Sequence, residues 1–215
     1  MSNSVRPLPL IISSPSGAGK TTLTGRLLKE IPRLAFSVSH TTRAPRSSEQ
    51  DGREYHFVDR ATFANLIEQG EFLEWAEVHG NLYGTSKNEL TKNQHLRGII
   101  FDIDHQGARQ IKCAEPDAVA IFILPPSMSI LEQRLRGRAS EDEATVQRRF
   151  QVATREIEHY GLFDYVLVND DIDEATKQLT SIFRAEECRR RRAARLAEQL
   201  LTEGRELSSS KLASD

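Results

Sequence analysis

Residues 14–22 read Ser14-Pro15-Ser16-Gly17-Ala18-Gly19-Lys20-Thr21-Thr22. Glycines at Gly17 and Gly19 can take backbone angles that turn successive N–H groups inward, onto phosphate oxygens. A helix opening near Lys20 would aim the positive end of its dipole at the same point. The Lys20 ammonium would reach the β- and γ-phosphates of a nucleoside triphosphate, and the Thr21 hydroxyl would hold Mg²⁺. The stretch is a P-loop pattern with Ser14 in place of its first glycine, a position that mostly shapes the turn. The alternative, a Gly/Ser-rich turn with no ligand, leaves Gly-x-Gly-Lys-Thr between a strand and a helix unexplained.

A second group fits the same site. Gly98-Ile99-Ile100-Phe101-Asp102 is an apolar strand ending in a carboxylate, the shape of a Walker B segment. Asp104 follows after Ile103, and strand alternation sends Asp102 and Asp104 to one face. In isolation the same residues could be a buried strand with an ordinary surface aspartate. A third group, Ser39-His40-Thr41-Thr42-Arg43-Ala44-Pro45-Arg46, sets two guanidinium groups three residues apart. Arginine pairs recognise phosphate bidentately. Tyr55, Glu74 and Gly80-Asn81-Leu82-Tyr83-Gly84-Thr85 follow. Alone, the tyrosines read as packing and Glu74, beside Trp75, as a solvated strand residue.

The elements that must position these groups are legible as periodicity. Apolar runs of strand length occur at residues 8–12, 34–38, 99–101, 118–124 and 165–168. They are continuous rather than alternating, which predicts strands covered on both faces, as in a parallel sheet. Helical patterns lie at 21–30, 108–112, 130–136, 144–158 and from 174 onward. Ser129 with Glu132 fits a capping box for the third of these, with Gly137 as its stop, and Asp171 with Glu174 fits the start of the last. The series is an α/β layered domain. Residues 40–85 break the rhythm: polar, rich in turns, with short β-like pieces near Tyr55 and Phe72 and one helix at 61–69, capped by Asp59 and stopped by Gly70. This predicts a lobe inserted in the parallel core. A second polar excursion runs from 134 to 151, and Ser208-Ser209-Ser210 opens what reads as a frayed tail.

Composition bounds the rest. The chain has 215 residues, Lys+Arg 29 against Asp+Glu 31 and a formal net charge of -2, which suits one soluble domain and argues against a nucleic-acid binder. It does not exclude a small anionic substrate, because a site can concentrate positive charge within a neutral whole. Cys113 and Cys188 are the two cysteines and form no CxxC, so a disulfide framework or zinc site is not expected and a reducing, cytoplasmic setting is. No apolar run reaches the roughly 18 residues of a membrane span, and the short run after Arg6 is broken too soon for a signal peptide.

Taken in order, these segments resemble the guanylate kinase family, from about residue 6 to about 187. The resemblance rests on residues 13–22, on Ser37 to Arg46, on Glu49-Gln50-Asp51-Gly52-Arg53-Glu54-Tyr55-His56-Phe57-Val58, on residues 80–86, on Asp102-Ile103-Asp104-His105-Gln106-Gly107, on residues 121–127 and on Val168-Asn169-Asp170-Asp171. Ser48 departs from it, standing where many members have Gly. It implies a P-loop NTPase fold: a three-layer α/β/α core with a five-stranded parallel sheet, an inserted mixed β/α GMP-binding lobe and a helical lid. The corresponding boundaries are core 6–38 and 86–187, lobe 39–85, lid about 134–151, and a C-terminal extension from 188 to 215. It also implies ATP-dependent phosphorylation of GMP to GDP in purine metabolism, with dGMP as a further acceptor and Mg²⁺ as cofactor.

The resemblance assigns roles residue by residue. Ser39, Arg43, Arg46, Tyr55 and Tyr83 match the family's holders of the GMP phosphate. Glu74 and Thr85 match its readers of guanine: a carboxylate accepts from N1–H and the 2-amino group together, which adenine does not offer. Asp102 and Asp104 match the acidic pair between nucleotide and metal, Asp102 acting through water. Arg134, Arg138 and Arg149 match the lid arginines, and Asn169 the contact to the ATP adenine. The nucleophile would be a GMP phosphate oxygen, a dianion at neutral pH because the second pKa of a phosphate monoester is about 6, so no general base is required. His40, His56, His79, His95, His105 and His159 form neither a metal spacing nor a triad. The run Cys188-Arg189-Arg190-Arg191-Arg192 lies in a helical pattern and reads as a solvated face, an oligomer contact or an anion patch. Two rivals stay open at this stage: another nucleotide kinase, and a guanylate-kinase-like module that binds phosphopeptides without catalysis.

Overall fold

In the computed structural model, which describes residues 6–78, 80–137 and 142–212, the chain builds two sheets. Strands β1 (Leu8–Ser13), β2 (Leu34–Phe36), β7 (Gly98–Asp102), β8 (Val119–Leu124) and β9 (Tyr165–Val168) form the first, in the order β2-β7-β1-β8-β9. Every pairing in it is parallel. All six residues of β1 are buried, as a central strand covered on both faces requires. Pro9 is tolerated there because pairing with β8 begins only at Leu10, so the missing N–H removes no ladder bond.

Helices α1 (Lys20–Glu30) and α7 (Ile172–Glu187) cover one face, where Leu23, Leu27, Leu179 and Phe183 pack on Leu10, Ile12, Ile100 and Ile121. Helix α4 (His105–Ala114) covers the other, its Ala108 and Ile111 against Ile11, Ile99 and Phe101. This is the three-layer core that the continuous apolar runs predict. Asp171 starts α7 by accepting from the N–H groups of Asp173 and Glu174, as expected.

The second sheet is the polar insertion. Strands β3 (Ser39–Thr41), β4 (Tyr55–Phe57), β5 (Phe72–Val78) and β6 (Asn81–Ser86) lie in the order β4-β3-β6-β5, with β3-β4 parallel and the other pairs antiparallel. Helix α2 (Arg60–Glu68) starts where expected, at Asp59, whose carboxylate accepts from the N–H of Thr62. Helix α3 (Asn88–Lys92) follows the return to the core. The outgoing segment leaves through Ser37, whose N–H bonds Ile100, and Val38, whose N–H reaches the buried carboxylate of Glu89 at 3.1 Å. Glu89 is 2% exposed and also pairs with Lys92, so one side chain on the return segment holds the outgoing one.

Helices α5 (Met128–Arg136) and α6 (Glu143–Ile157) form a separate apolar cluster through Leu131, Leu135, Val146 and Ala153. The start of α5 corrects the expected capping box. Ser127, not Ser129, is the cap and accepts from the N–H of Ile130, while Glu132 pairs forward with Arg136. Pro125 and Pro126 hold the chain extended only that far, so the helix opens at once. The tail differs as well. Helix α8 (Arg190–Leu212) continues through Ser208-Ser209-Ser210. Its arginine run is engaged rather than simply solvated: Arg189 pairs with Glu186, Arg191 with Asp117, and Arg192 donates to the carbonyl of Arg6.

Candidate active site

The P-loop leaves β1 at its carboxyl end and runs into α1. Gly17 has φ 94° and Gly19 φ 97°, conformations that disfavour any side chain. Space forbids one too. A Cβ on Gly19 would lie 2.2 Å from the Asn169 amide nitrogen, and one on Gly17 would lie 3.0 Å from Leu131. The loop is tied down from three sides. Asn169 donates to the carbonyl of Ala18 at 2.8 Å, the Ser16 N–H reaches Glu156 at 3.2 Å, and Arg149 donates to the Ser16 hydroxyl at 2.7 Å. Lys20, the first residue of α1, is ion-paired with Asp102 at the end of β7, and Thr21 and Thr22 are exposed at the start of α1.

Between loop and insertion lies a cavity of about 250 Å³. Its lining brings together Ser14, Lys20, Ser39, Tyr55, Glu74, Tyr83, Asp102 and Asp104, from both sheets. Asp102 ends β7; Asp104 is already off the strand as the cap of α4, accepting from the N–H groups of Gln106 and Gly107, yet both reach this cavity.

Glu74 is the most unusual group in it. It is 4% exposed, and burial, aided by the charge of Asp104 and opposed by Thr85, pushes its carboxyl up to about 7. A register shift between Phe72 and Glu74 turns the side chain inward, the use to which bulges near sites are commonly put. The Thr85 hydroxyl donates to Glu74 at 2.6 Å, and the Ser39 hydroxyl lies 2.9 Å from Thr85. The Thr85 hydroxyl thus points its proton at Glu74; donation to a base would require the hydroxyl to turn. Gly107 leaves the carboxylate its room, since a Cβ there would stand 2.8 Å from Glu74 Oε2. Gln110 of α4 clasps the backbone of Trp75 with two hydrogen bonds and so docks the edge strand β5 on the core.

Arg43 stands beside the cavity. Glu49 grips it with two hydrogen bonds, of 3.0 and 2.9 Å, and the Tyr55 ring lies 5.4 Å from its guanidinium carbon. Glu49 also accepts from the N–H of Arg46 at 2.8 Å, so one carboxylate organises both arginine positions. These hydrogen bonds, from Arg43 first and then the Arg46 backbone, hold its carboxyl below the usual range. The Arg46 side chain is exposed and does not line the cavity. The sequence reading quoted Glu49 and Gly107 as motif residues without a role and did not name Gln110; a carboxylate three residues after Arg46 is the local signal for the role of Glu49.

On the other side of the P-loop a second cavity, about 470 Å³, is lined by Gly17, Gly19, Thr22, Arg134, Asn169 and Asp170 among others. Arg134 donates to the Asn169 carbonyl at 3.1 Å, and its second guanidinium nitrogen is buried without a partner among the described residues. Arg138 and His79 lie outside the described residues. Among those described, no group of three or more His, Cys, Asp or Glu could hold a metal, and no helix is long and apolar enough to cross a membrane.

A parallel sheet with a P-loop at one strand's carboxyl end, and a second polar cavity opposite Lys20, defines a nucleotide-binding domain of the P-loop class. The family model for guanylate kinase matches residues 6–186. A guanylate kinase of Myxococcus xanthus is 52% identical over 194 residues, covering 88% of this chain and 93% of its own. One from Aromatoleum aromaticum is 53% identical over 182 residues, covering 84% and 89%. Among solved structures, a guanylate kinase from Anaplasma phagocytophilum is 36% identical, with a TM-score of 0.68 over 86% of this chain and 88% of that one. The chain belongs to the guanylate kinase family.

Proposed function

We propose that the protein transfers the γ-phosphoryl group of ATP to the phosphate of GMP, giving ADP and GDP. The observation that carries the reading is Glu74, a buried carboxylate with a raised pKa in the cavity that Lys20 and Asp102 also line. A neutral acid or a water-filled recess would serve a phosphate alone. A carboxylate held out of water serves a partner with two adjacent N–H donors, which guanine presents at N1 and the 2-amino group. Left unpaired by adenine, it rejects the wrong base.

In this reading Ser39, Tyr55, Tyr83, Arg43 and Arg46 hold the GMP phosphate, and Glu74 and Thr85 hold the base. The P-loop N–H groups and Lys20 cradle the ATP phosphates, while Arg134 and Asn169 border the room for its adenine. A GMP phosphate oxygen forms the new bond to the γ-phosphorus as the bond to the β-phosphate oxygen breaks, and the electron pair leaves with ADP. No base is required. What the chain supplies is alignment of two polyanions and positive charge to offset their repulsion. Arg149, already on the P-loop, and Arg138 would complete that charge when the lid closes and excludes water.

The oxygen donors near Lys20 fit Mg²⁺: the exposed Thr21 hydroxyl and the Asp102 carboxylate, two ligands of the kind this ion uses alongside substrate phosphates. When bound, Mg²⁺ would neutralise charge on the phosphates of ATP. ATP and GMP are the partners in this reading, with no nucleic acid and no membrane. The free thiols Cys113 and Cys188 suit a cytoplasmic setting.

An ADP-release assay with Mg·ATP and each nucleoside monophosphate tests the proposal. Turnover with GMP far above AMP is expected, and Lys20→Ala should abolish it while circular dichroism stays unchanged. Absence of turnover with GMP would leave a binding module; parental kcat in Lys20→Ala would remove the P-loop role.

A further inference from the structure

Helix α6 grips one residue of the P-loop, Ser16, from two positions. Arg149 donates to its hydroxyl at 2.7 Å. Glu156, about two turns further along the helix, accepts from its main-chain N–H through one carboxylate oxygen at 3.2 Å. Glu156 lies 140 residues from Ser16 and in none of the motif segments, so this is no local turn contact. Successive N–H groups of such a loop are built to face anions. A carboxylate is the side chain most like a phosphoryl group: charged, acceptor-only, with more than one oxygen.

Position decides which phosphate it resembles. Glu156 lines the cavity between loop and lobe, together with Ser14, Lys20, Tyr55 and Asp102. The cavity on the other side of the loop, where Arg134 and Asn169 border the room for adenine, is lined by Gly17, Gly19 and Thr22 and not by Glu156. With adenine on that side, the phosphates of ATP run past the loop toward the GMP phosphate. The end that meets Glu156 is the γ end.

We propose that Glu156 is a stand-in for the γ-phosphoryl group, displaced from the Ser16 N–H by a nucleoside triphosphate and left in place by a diphosphate, and so sets how the site discriminates ATP from ADP. This rests on the reading of ATP as phosphoryl donor. Two anions facing one N–H repel, and in a half-buried site water screens them little. ATP therefore binds at the expense of the Glu156 contact, a cost that ADP does not meet. The same exchange turns the sign of the helix. With the Ser16 N–H on phosphate, α6 presents Arg149 rather than Glu156 to the transferring group. Once the phosphoryl group has moved to GMP, the N–H returns to Glu156, so α6 responds to which side of the reaction the donor nucleotide is on.

Calorimetry with Mg²⁺ and without GMP reads binding apart from turnover. The two ligands are ADP and the β,γ-imido analogue of ATP. Glu156→Gln keeps an acceptor oxygen and removes the charge. The ratio of the two Kd values should shift about tenfold toward the triphosphate analogue, the scale on which a charge-assisted hydrogen bond exceeds a neutral one. Glu156→Ala, which removes the acceptor, should shift it at least as far. A merely structural role would weaken both nucleotides together and leave the ratio where it is in the parent. An unmoved ratio in variants with parental circular dichroism, or a shift toward ADP in either, would overturn the proposal. Failure of the parent to phosphorylate GMP while both nucleotides bind would overturn the kinase reading instead and leave this discrimination standing.

Discussion

Replacing Glu74 by Gln should make the protein more stable and a worse catalyst at once. The carboxyl titrates near 7 in the fold, against an ordinary value of 4.5, chiefly because burial disfavours its charge. A raised pKa means that the folded state holds its proton more tightly than the unfolded one. Stability from this group is therefore fully present below about pH 4.5, falls between 4.5 and 7, and is absent above. A gap of about 2.5 pKa units corresponds to about 3 kcal/mol. Glutamine keeps an oxygen that can accept from Thr85 and carries no charge, so it escapes that cost. Urea denaturation of parent and variant at pH 5 and pH 8.5 isolates the effect, since every other titrating group cancels in the difference. At pH 8.5 Glu74→Gln should be more stable by up to about 3 kcal/mol, and at pH 5 by less than about 1 kcal/mol. An equal difference at both pH values would refute the argument that burial of charge governs this residue.

The same titration reaches function. Guanine needs the ionised form as acceptor, so binding of GMP at neutral pH should release protons from Glu74. Calorimetry in buffers of different ionisation enthalpy would count them, and Glu74→Gln should lose the part of that release that belongs to this group. Its KM for GMP should rise roughly a hundredfold, the scale of losing a charge-assisted pair of hydrogen bonds.

Glu49→Gln should loosen Arg43 and the Arg46 turn together, raising KM for GMP about tenfold with KM for ATP unchanged; steady-state kinetics in both substrates separates the two. Gly19→Ala forces a Cβ to within 2.2 Å of the Asn169 amide at φ 97°. It should cost at least about 1–3 kcal/mol in thermal denaturation and abolish ATP binding, and adding Asn169→Ala should recover only the steric part. Glu89→Leu orphans the Val38 N–H at the entrance to the lobe and should cost about 1–3 kcal/mol, while Glu89→Gln, which keeps an acceptor oxygen, should recover most of it in the same urea titration.

What the sequence showed and what it hid follow one physical division. The core was legible because its strands are buried on both faces and so are written as uninterrupted apolar runs; β1, β8 and β9 fall within a residue of their expected bounds. Strand β6 was not, although it lies inside the lobe sheet between β3 and β5. Its Tyr83 faces the cavity and its buried Thr85 serves Glu74 rather than an apolar core, and Gly84 is there because Phe63 and Trp75 would each stand 3.0 Å from a Cβ. A functional strand carries no apolar signal, and its glycine reads as a turn. The candidate site was legible only as an ordered set of motif residues. Partners that hold other parts of the lobe, Gln110 on Trp75 and Glu89 on Val38, come from distant segments and mark no periodicity, while the near neighbour Glu49 on Arg43 and the motif residue Asn169 on Ala18 were visible without their contacts.

Those partners also explain how a chain of net charge -2 can receive two polyanions. The cations proposed to bind phosphate are not held ready as a basic surface. Lys20 rests on Asp102, Arg43 on Glu49, and Arg149 on the P-loop hydroxyl of Ser16. Each of these cations already faces an internal partner, so under the proposed roles a lone phosphate gains little from the charge of Lys20 or Arg43. A nucleotide gains more, because its base fills a separate recess while its phosphates make the exchange. Under the proposed roles, the carboxylates that neutralise the composition should also discriminate against small anions. Removing Glu49 should show it: inorganic phosphate, a weak competitor of GMP in the parent, should compete better in Glu49→Ala even as GMP binds less well.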